Sequence, residues 1–218
     1  MSDPEWSAVA RGPGPVAARL APERIGLPDR RLRPRQREIL DQLDTIFVDE
    51  GFAGLTIQQL AARLRCSRRT LYELAPSKDE LVLFVIDRRL RRTGHLAAEV
   101  LRTVDDPAER LTAYVLTGTS RLRRASIRFR EDVARFPAAQ RVMAAHHRYA
   151  SAIMAEIIDE GIARGRFHPL RAAVVAEIVD AAFERLQDPT ILRDLGISFE
   201  DATEELTVLL ARGLAADE

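Results

Sequence analysis

The chain has 218 residues, enough for one large domain or two small ones around a real hydrophobic core, and its 46% hydrophobic and 30% charged residues are ordinary for a soluble globular protein. Formal net charge is zero, yet residues 30–92 carry 14 Arg/Lys against 9 Asp/Glu and residues 93–218 carry 16 against 20, so a basic N-terminal module suited to a polyanion precedes an acidic body. A single cysteine, an N-terminus without an apolar leader and no strongly apolar run longer than Leu81–Ile86 exclude a disulfide framework, a secretory signal and a membrane span, so a cytoplasmic protein with no membrane partner is expected.

Residues 1–33 are rich in proline, hold three glycines and show no sustained period. They read as a flexible arm ending in the basic run Arg30, Arg31, Arg33, Arg35 and Arg37. From Pro34 onward the segments carry helical periods and none alternates as a strand, so the expected fold class is all-α, with about nine helices. The first helix starts at Pro34, a favoured first-turn residue, and Gly51 stops it; Ile39, Leu40, Leu43, Ile46 and Phe47 form its apolar stripe. Thr56 and Gln59 predict a capping box for the second helix, and Leu55 and Leu60 a hydrophobic staple. After a short turn, Ser67 caps a third helix over 68–74, which Pro76 ends. Ser77 and Glu80 open a long fourth helix, whose residues Leu81 to Ile86 are apolar all round and predict burial on several sides, between two parts of the molecule. Further helices are expected at 107–124, 126–135, 138–164, 170–187 and 199–214, with Asp106-Pro107, Pro137, Gly165 with Pro169, and Asp188-Pro189 with Gly196 as breakers.

Two short helices joined by a three-residue turn match helix-turn-helix geometry, in which the second helix lies in the major groove. With Leu71 and Leu74 facing inward, Arg68, Arg69, Thr70 and Tyr72 are left on the open face. Arginine reads guanine bidentately, and Thr and Tyr hydroxyls hold phosphates. Lys78, the only lysine, stands in the first turn of the next helix, where backbone N–H groups also favour phosphate. On geometry alone, a helical hairpin with a solvated basic face remains the alternative. The expected DNA contacts are Thr56, Ser67, Arg68, Arg69, Thr70, Tyr72 and Lys78, with Arg33 and Arg35 from the basic end of the arm. Such arms reach the neighbouring minor groove in other proteins.

The blocks Ile39-Leu40, Phe47, Gly51-Phe52, Leu55-Thr56-Ile57, Leu60-Ala61, Cys66 to Tyr72 and Pro76 to Leu81 resemble the DNA-binding domain of the TetR family of transcriptional regulators. Glu160-Gly161-Ile162 to Gly165-Arg166-Phe167 is similar to a stretch that ends a long helix in that family. The chain departs from the family at Arg65 and Arg69, where glycine is usual, and at Leu74 and Ala75, in place of a histidine and an aromatic residue. Glu73 between them adds a negative charge beside the expected DNA face. The resemblance implies an arm over 1–33, a helix-turn-helix domain over 34–80, and a helical effector-binding and dimerisation domain over 81–218.

It also implies double-stranded DNA, a second copy of the chain and a small-molecule effector as partners, and a repressor that the effector releases from its operator. A helical interaction adaptor without ligand response is the alternative. The effector candidates are Tyr114, Arg121, Arg128, Phe129, Met143, His147, Met154 and Phe183, aromatic, sulfur and polar groups at helical spacing that together suit a mostly apolar cavity. The dimer interface that the resemblance implies would fall on the last two long helices, where Ala172, Ala173, Ala176, Ala181 and Ala182 with Val175, Ile178, Val179, Leu186, Leu206, Leu209, Leu210 and Leu214 suit a four-helix bundle with a partner copy; packing of both helices within the monomer alone is the alternative. No nucleophile elbow, phosphate loop or zinc motif is present, and the four histidines lack metal-ligand spacing, so neither enzyme activity, cofactor nor metal is expected.

Overall fold

The computed structural model describes residues 14–120 and 125–216. Eleven α-helices fill them: α1 (Pro15–Leu20), α2 (Pro34–Glu50), α3 (Ile57–Arg63), α4 (Arg68–Tyr72), α5 (Lys78–Thr103), α6 (Pro107–Ser120), α7 (Ile127–Ala134), α8 (Pro137–Ala163), α9 (Ala172–Leu186), α10 (Pro189–Leu195) and α11 (Phe199–Leu214). No strand forms among the described residues; one isolated bridge joins Phe167 and Ala215.

Nine of these helices are the ones the periodicity predicts. The two additional ones come from residues read as punctuation. Asp188-Pro189 and Gly196 do not break the chain there; they bound a short helix. The Asp188 carboxylate accepts from Thr190 N at 2.8 Å, Pro189 takes the first helical position, and Gly196 closes the helix in the left-handed region at φ 69°. α1 likewise starts on a proline, so residues 14–33 are not the featureless arm that composition suggests. Gly14 N and Ala17 N donate to the Glu156 carboxylate at 2.7 and 3.1 Å, Ala17 is fully buried, and Asp29–Arg31 form a 3-10 turn.

Two compact units account for the chain. One comprises Pro22–Arg92 and Arg124–His146; the other comprises Met1–Ala21, Thr93–Arg123 and His147–Glu218. Beyond the expected 34–80, the helix-turn-helix unit thus takes in the flanking residues and a distant segment, Arg124–His146. The core of that unit gathers Ile39, Leu40, Leu43 and Phe47 of α2, Leu60 of α3, Leu71 of α4, Leu81 to Ile86 of α5 and Phe129 of α7. Phe52 packs edge-on against Phe47 and Phe129, with ring centroids 5.9 and 6.1 Å apart. In the other unit, Tyr114, Val115, Met154, Ile158, Phe167, Val179 and Phe183 form a separate core. Its tight point is Gly161, where any Cβ would overlap the Phe167 ring. That contact gives a packing reason for the Gly161 to Phe167 pattern.

Candidate nucleic-acid interface

The three predicted caps form. Thr56 Oγ1 accepts from Gln59 N at 3.2 Å while Thr56 N donates to Gln59 Oε1 at 2.8 Å; Ser67 Oγ accepts from Thr70 N at 3.0 Å; Ser77 Oγ accepts from Glu80 N at 3.1 Å. The turn between α3 and α4 closes with Cys66 N donating to Ala61 O at 3.0 Å and Arg65 N to Ala62 O at 3.2 Å, the two bonds of a Schellman motif. That motif wants a left-handed residue at its glycine position, and Arg65 supplies it at φ 50°. A non-glycine residue there costs about 1–2 kcal/mol, while glycine loses roughly 0.5–1 kcal/mol more chain entropy on folding. Arg65→Gly is therefore expected to raise the melting temperature by about 2 °C, given roughly 2–4 °C per kcal/mol for a chain of this size. An unchanged or lowered melting temperature in a thermal melt refutes it. Cys66 occupies the apolar position of the same motif, and burial pushes its thiol up despite the opposing pull of Arg35. It packs as a small hydrophobe, not as an activated thiolate.

Leu71 is fully buried beneath α4, which leaves Arg68, Arg69 and Tyr72 exposed and Thr70 half-buried above it. Thr56 and Ser67 are exposed at the helix starts. The remaining three expected contacts also have structural tasks. Arg35 Nη2 donates to Leu64 O at 2.7 Å, capping α3, and its Nη1 pairs with Glu38 at 2.7 Å. Lys78 Nζ donates to Ala53 O at 2.9 Å, pinning the loop after α2. Arg33 pairs with Glu73 at 2.9 Å.

Asp132 on α7 was invisible as a positioning group. Its Oδ2 accepts from both Phe52 N and Ala53 N, at 2.6 and 2.8 Å, and so holds the same loop that Lys78 pins. No local signal marks it, because the pair is separated by 79 or 80 residues.

A buried polar cluster lies deeper in this unit. Asp87, 1% exposed, accepts from Arg91 Nε at 2.8 Å and Ile25 N at 3.1 Å through Oδ2, and from His146 Nε2 at 2.9 Å through Oδ1. Burial alone would raise the Asp87 carboxyl; the His146 hydrogen bond and the Arg91 guanidinium outweigh it and hold the group below the usual carboxylate range. An ionised carboxylate only accepts, so His146 carries its proton on Nε2.

The described effector candidates fall in both compact units. Phe129 and Met143 belong to the helix-turn-helix unit's core, and Arg128 is exposed on the same unit. Tyr114, Met154 and Phe183 share the core of the other unit, where the Tyr114 hydroxyl donates to Ala150 O at 3.0 Å and burial pushes its pKa up. His147 is exposed, and Arg121 lies outside the described residues. An open groove of about 600 Å³ on the helix-turn-helix unit is lined by Asp29, Arg37, Asp41, Arg88 and Arg92 among others. Its charges largely satisfy one another, with Arg88 bonded to both Asp29 and Asp41.

Residues 39–85 match the family described as "Bacterial regulatory proteins, tetR family", and residues 107–209 match "Tetracyclin repressor-like, C-terminal domain". An HTH-type transcriptional regulator of Mycobacterium tuberculosis is 32% identical over 79 residues, which are 36% of this chain and 39% of that protein. The HTH-type transcriptional activator FasR of Mycolicibacterium smegmatis is 32% identical over 81 residues, 37% of each chain. The chain thus matches about two fifths of the length of these curated relatives. A transcriptional regulator from Saccharomonospora viridis, solved in complex with choline, superposes with TM-score 0.71 at 18% identity, over 84% of this chain and 98% of that one.

Proposed function

Because the chain belongs to the tetR family of bacterial regulatory proteins, which are transcriptional regulators and not enzymes, we propose that it is a cytoplasmic homodimeric repressor whose grip on its operator a small molecule loosens. The observation that carries the reading is the capped helix-turn-helix, which leaves Arg68, Arg69 and Tyr72 exposed on its second helix, with Thr70 half-buried beside them. Arg69, 89% exposed, is our base-reading candidate, and Ser67, Thr56 and Lys78 are our phosphate candidates. The effector would act by binding two states of the dimer with different affinities and so changing the spacing of the two recognition helices. Tyr114, Met154 and Phe183 are the candidates in the C-terminal domain that share one core.

The test is a gel shift with the DNA upstream of the protein's own gene, across a salt series. A specific shift that weakens with salt is expected, and Arg69→Ala should cost about 1–3 kcal/mol of binding and relax the preference at one base pair. Absence of any shift returns the chain to the adaptor reading. Affinity unmoved by a library of small cations, acids and lipids would remove the effector for those compounds. The identity to an activator supports a second reading, activation. In-vitro transcription from a promoter carrying the bound site separates the two by the sign of the change.

A further inference from the structure

We propose that Glu73 is a positioning residue for sequence selectivity: it holds Arg69 in a base-reading pose and withholds Arg33 and Arg69 from phosphates. The inference rests on the DNA-binding reading above. Glu73 directly follows α4. Its Oε2 accepts from Arg33 Nη2 at 2.9 Å, and its Oε1 lies 3.6 Å from Arg69 Nε. One carboxylate thus bridges the residue that leads into α2 and the recognition helix itself.

Neither local helix stability nor burial accounts for a glutamate here. A carboxylate beyond the last turn of a helix is opposed by the helix dipole. The Arg33 and Arg69 side chains are 69% and 89% exposed, and that of Glu73 is 43% exposed. What the residue changes is the chemistry of the presented face. It approaches Arg69 through Nε, which leaves both Nη groups free to form the fork that meets guanine O6 and N7. A sequence-specific complex can therefore keep the Glu73–Arg69 contact. A non-specific complex draws guanidinium groups to the backbone, since phosphates attract them whatever the base order. That mode must break both pairs and bring a carboxylate toward the phosphates. The penalty falls on the wrong sequences more than on the right one.

The experiment compares wild type with Glu73→Gln, full-length, on two duplexes of equal length: a site that wild type retains from a random pool, and random sequence. Melting temperatures confirm that both proteins are folded. Glu73→Gln should bind random DNA about 3- to 10-fold more tightly, with a log–log salt slope steeper by about one, and its specific-to-random ratio should fall about tenfold. Glu73→Asp, which keeps the charge, should recover part of the ratio. Equal gains on both duplexes overturn the proposal, because they would reflect net charge alone. Equal losses with a lower melting temperature also overturn it, because they would mark a structural role. A wild type that retains no site from the pool defeats the DNA-binding reading and this inference with it; a selective wild type with an unchanged ratio in Glu73→Gln defeats the inference alone.

Discussion

Ile178→Glu combined with Leu209→Glu is expected to convert the protein into a monomer and to weaken operator binding by two orders of magnitude or more. On the unit that carries α9 and α11, Val174 and Ile178 are 50% and 63% exposed one turn apart, and Val208 and Leu209 are 49% and 68% exposed. Their neighbours Val179 and Phe183 are buried in the monomer, so the exposed residues are surplus to its core. Adjacent large aliphatic groups in water mark an interaction surface, and the small, exposed Ala173 beside Val174 permits close helix approach; Ala172 and Ala176, expected on the same surface, are instead buried in the monomer's core. A two-fold bundle of α9 and α11 from two copies would cover them. Dimerisation makes the second half-site contact intramolecular, an advantage of about 10²–10⁴ that a monomer forfeits. Both substituted positions are exposed, so the variant should still fold. Sedimentation velocity at micromolar concentration, with the same gel shift, checks the outcome. A double variant that stays dimeric, or one that binds operator as wild type does, refutes the proposed interface.

Asp87→Ala should destabilise the helix-turn-helix unit by about 3–5 kcal/mol, because it strands a buried Arg91 and His146. At roughly 2–4 °C per kcal/mol for a chain of this size, the melting temperature should fall by about 10 °C. Asp87 also holds Ile25 N, and Arg91 Nη2 donates to Pro22 O at 2.8 Å, so the change should release residues 22–25 as well. Asp87→Asn keeps the shape and one acceptor and should cost less, about 1–3 kcal/mol. The pH dependence has a definite sign. The folded Asp87 carboxyl lies below its ordinary value of about 4, so its contribution is complete above that pH and is lost as pH falls through the folded value. Asp41 acts in the same direction: burial raises it, but Arg88 and Arg92 outweigh that and hold it low. Wild type should therefore lose stability below about pH 4, and Asp87→Asn should show a shallower loss. Identical acid limbs for the two proteins, or a cost under 1 kcal/mol for Asp87→Ala, would refute the assignment.

What was legible in the chain alone was what a few neighbouring residues settle. Thr56 with Gln59, Ser67 with Thr70 and Ser77 with Glu80 lie three apart, so their caps follow from spacing. The inward Leu71 and the outward Arg68, Arg69 and Tyr72 follow from 3.6 residues per turn. Asp188-Pro189 and Gly196 carried the opposite lesson. The same residues that stop one helix can start and finish the next, and their meaning depends on whether the segment between them finds a partner surface.

The order of nine helices, the caps and the exposed face of α4 were thus determined by the sequence itself, because each rests on contacts within one or two turns. Tertiary structure alone decided which distant groups complete the helix-turn-helix: Asp132 on the loop after α2, Arg35 on the end of α3, His146 on Asp87. It also separated Phe129 and Met143 from Tyr114, Met154 and Phe183, although all five share one apolar pattern. The physical reason is common to these cases. Periodicity tells that a side chain is buried, but which core receives it depends on chain closure over tens of residues, and a charge finds its partner only once that closure has been made. Glu73 shows the difference most directly: in sequence it is a negative charge beside an expected DNA face, and in the fold its carboxylate lies between Arg33 and Arg69.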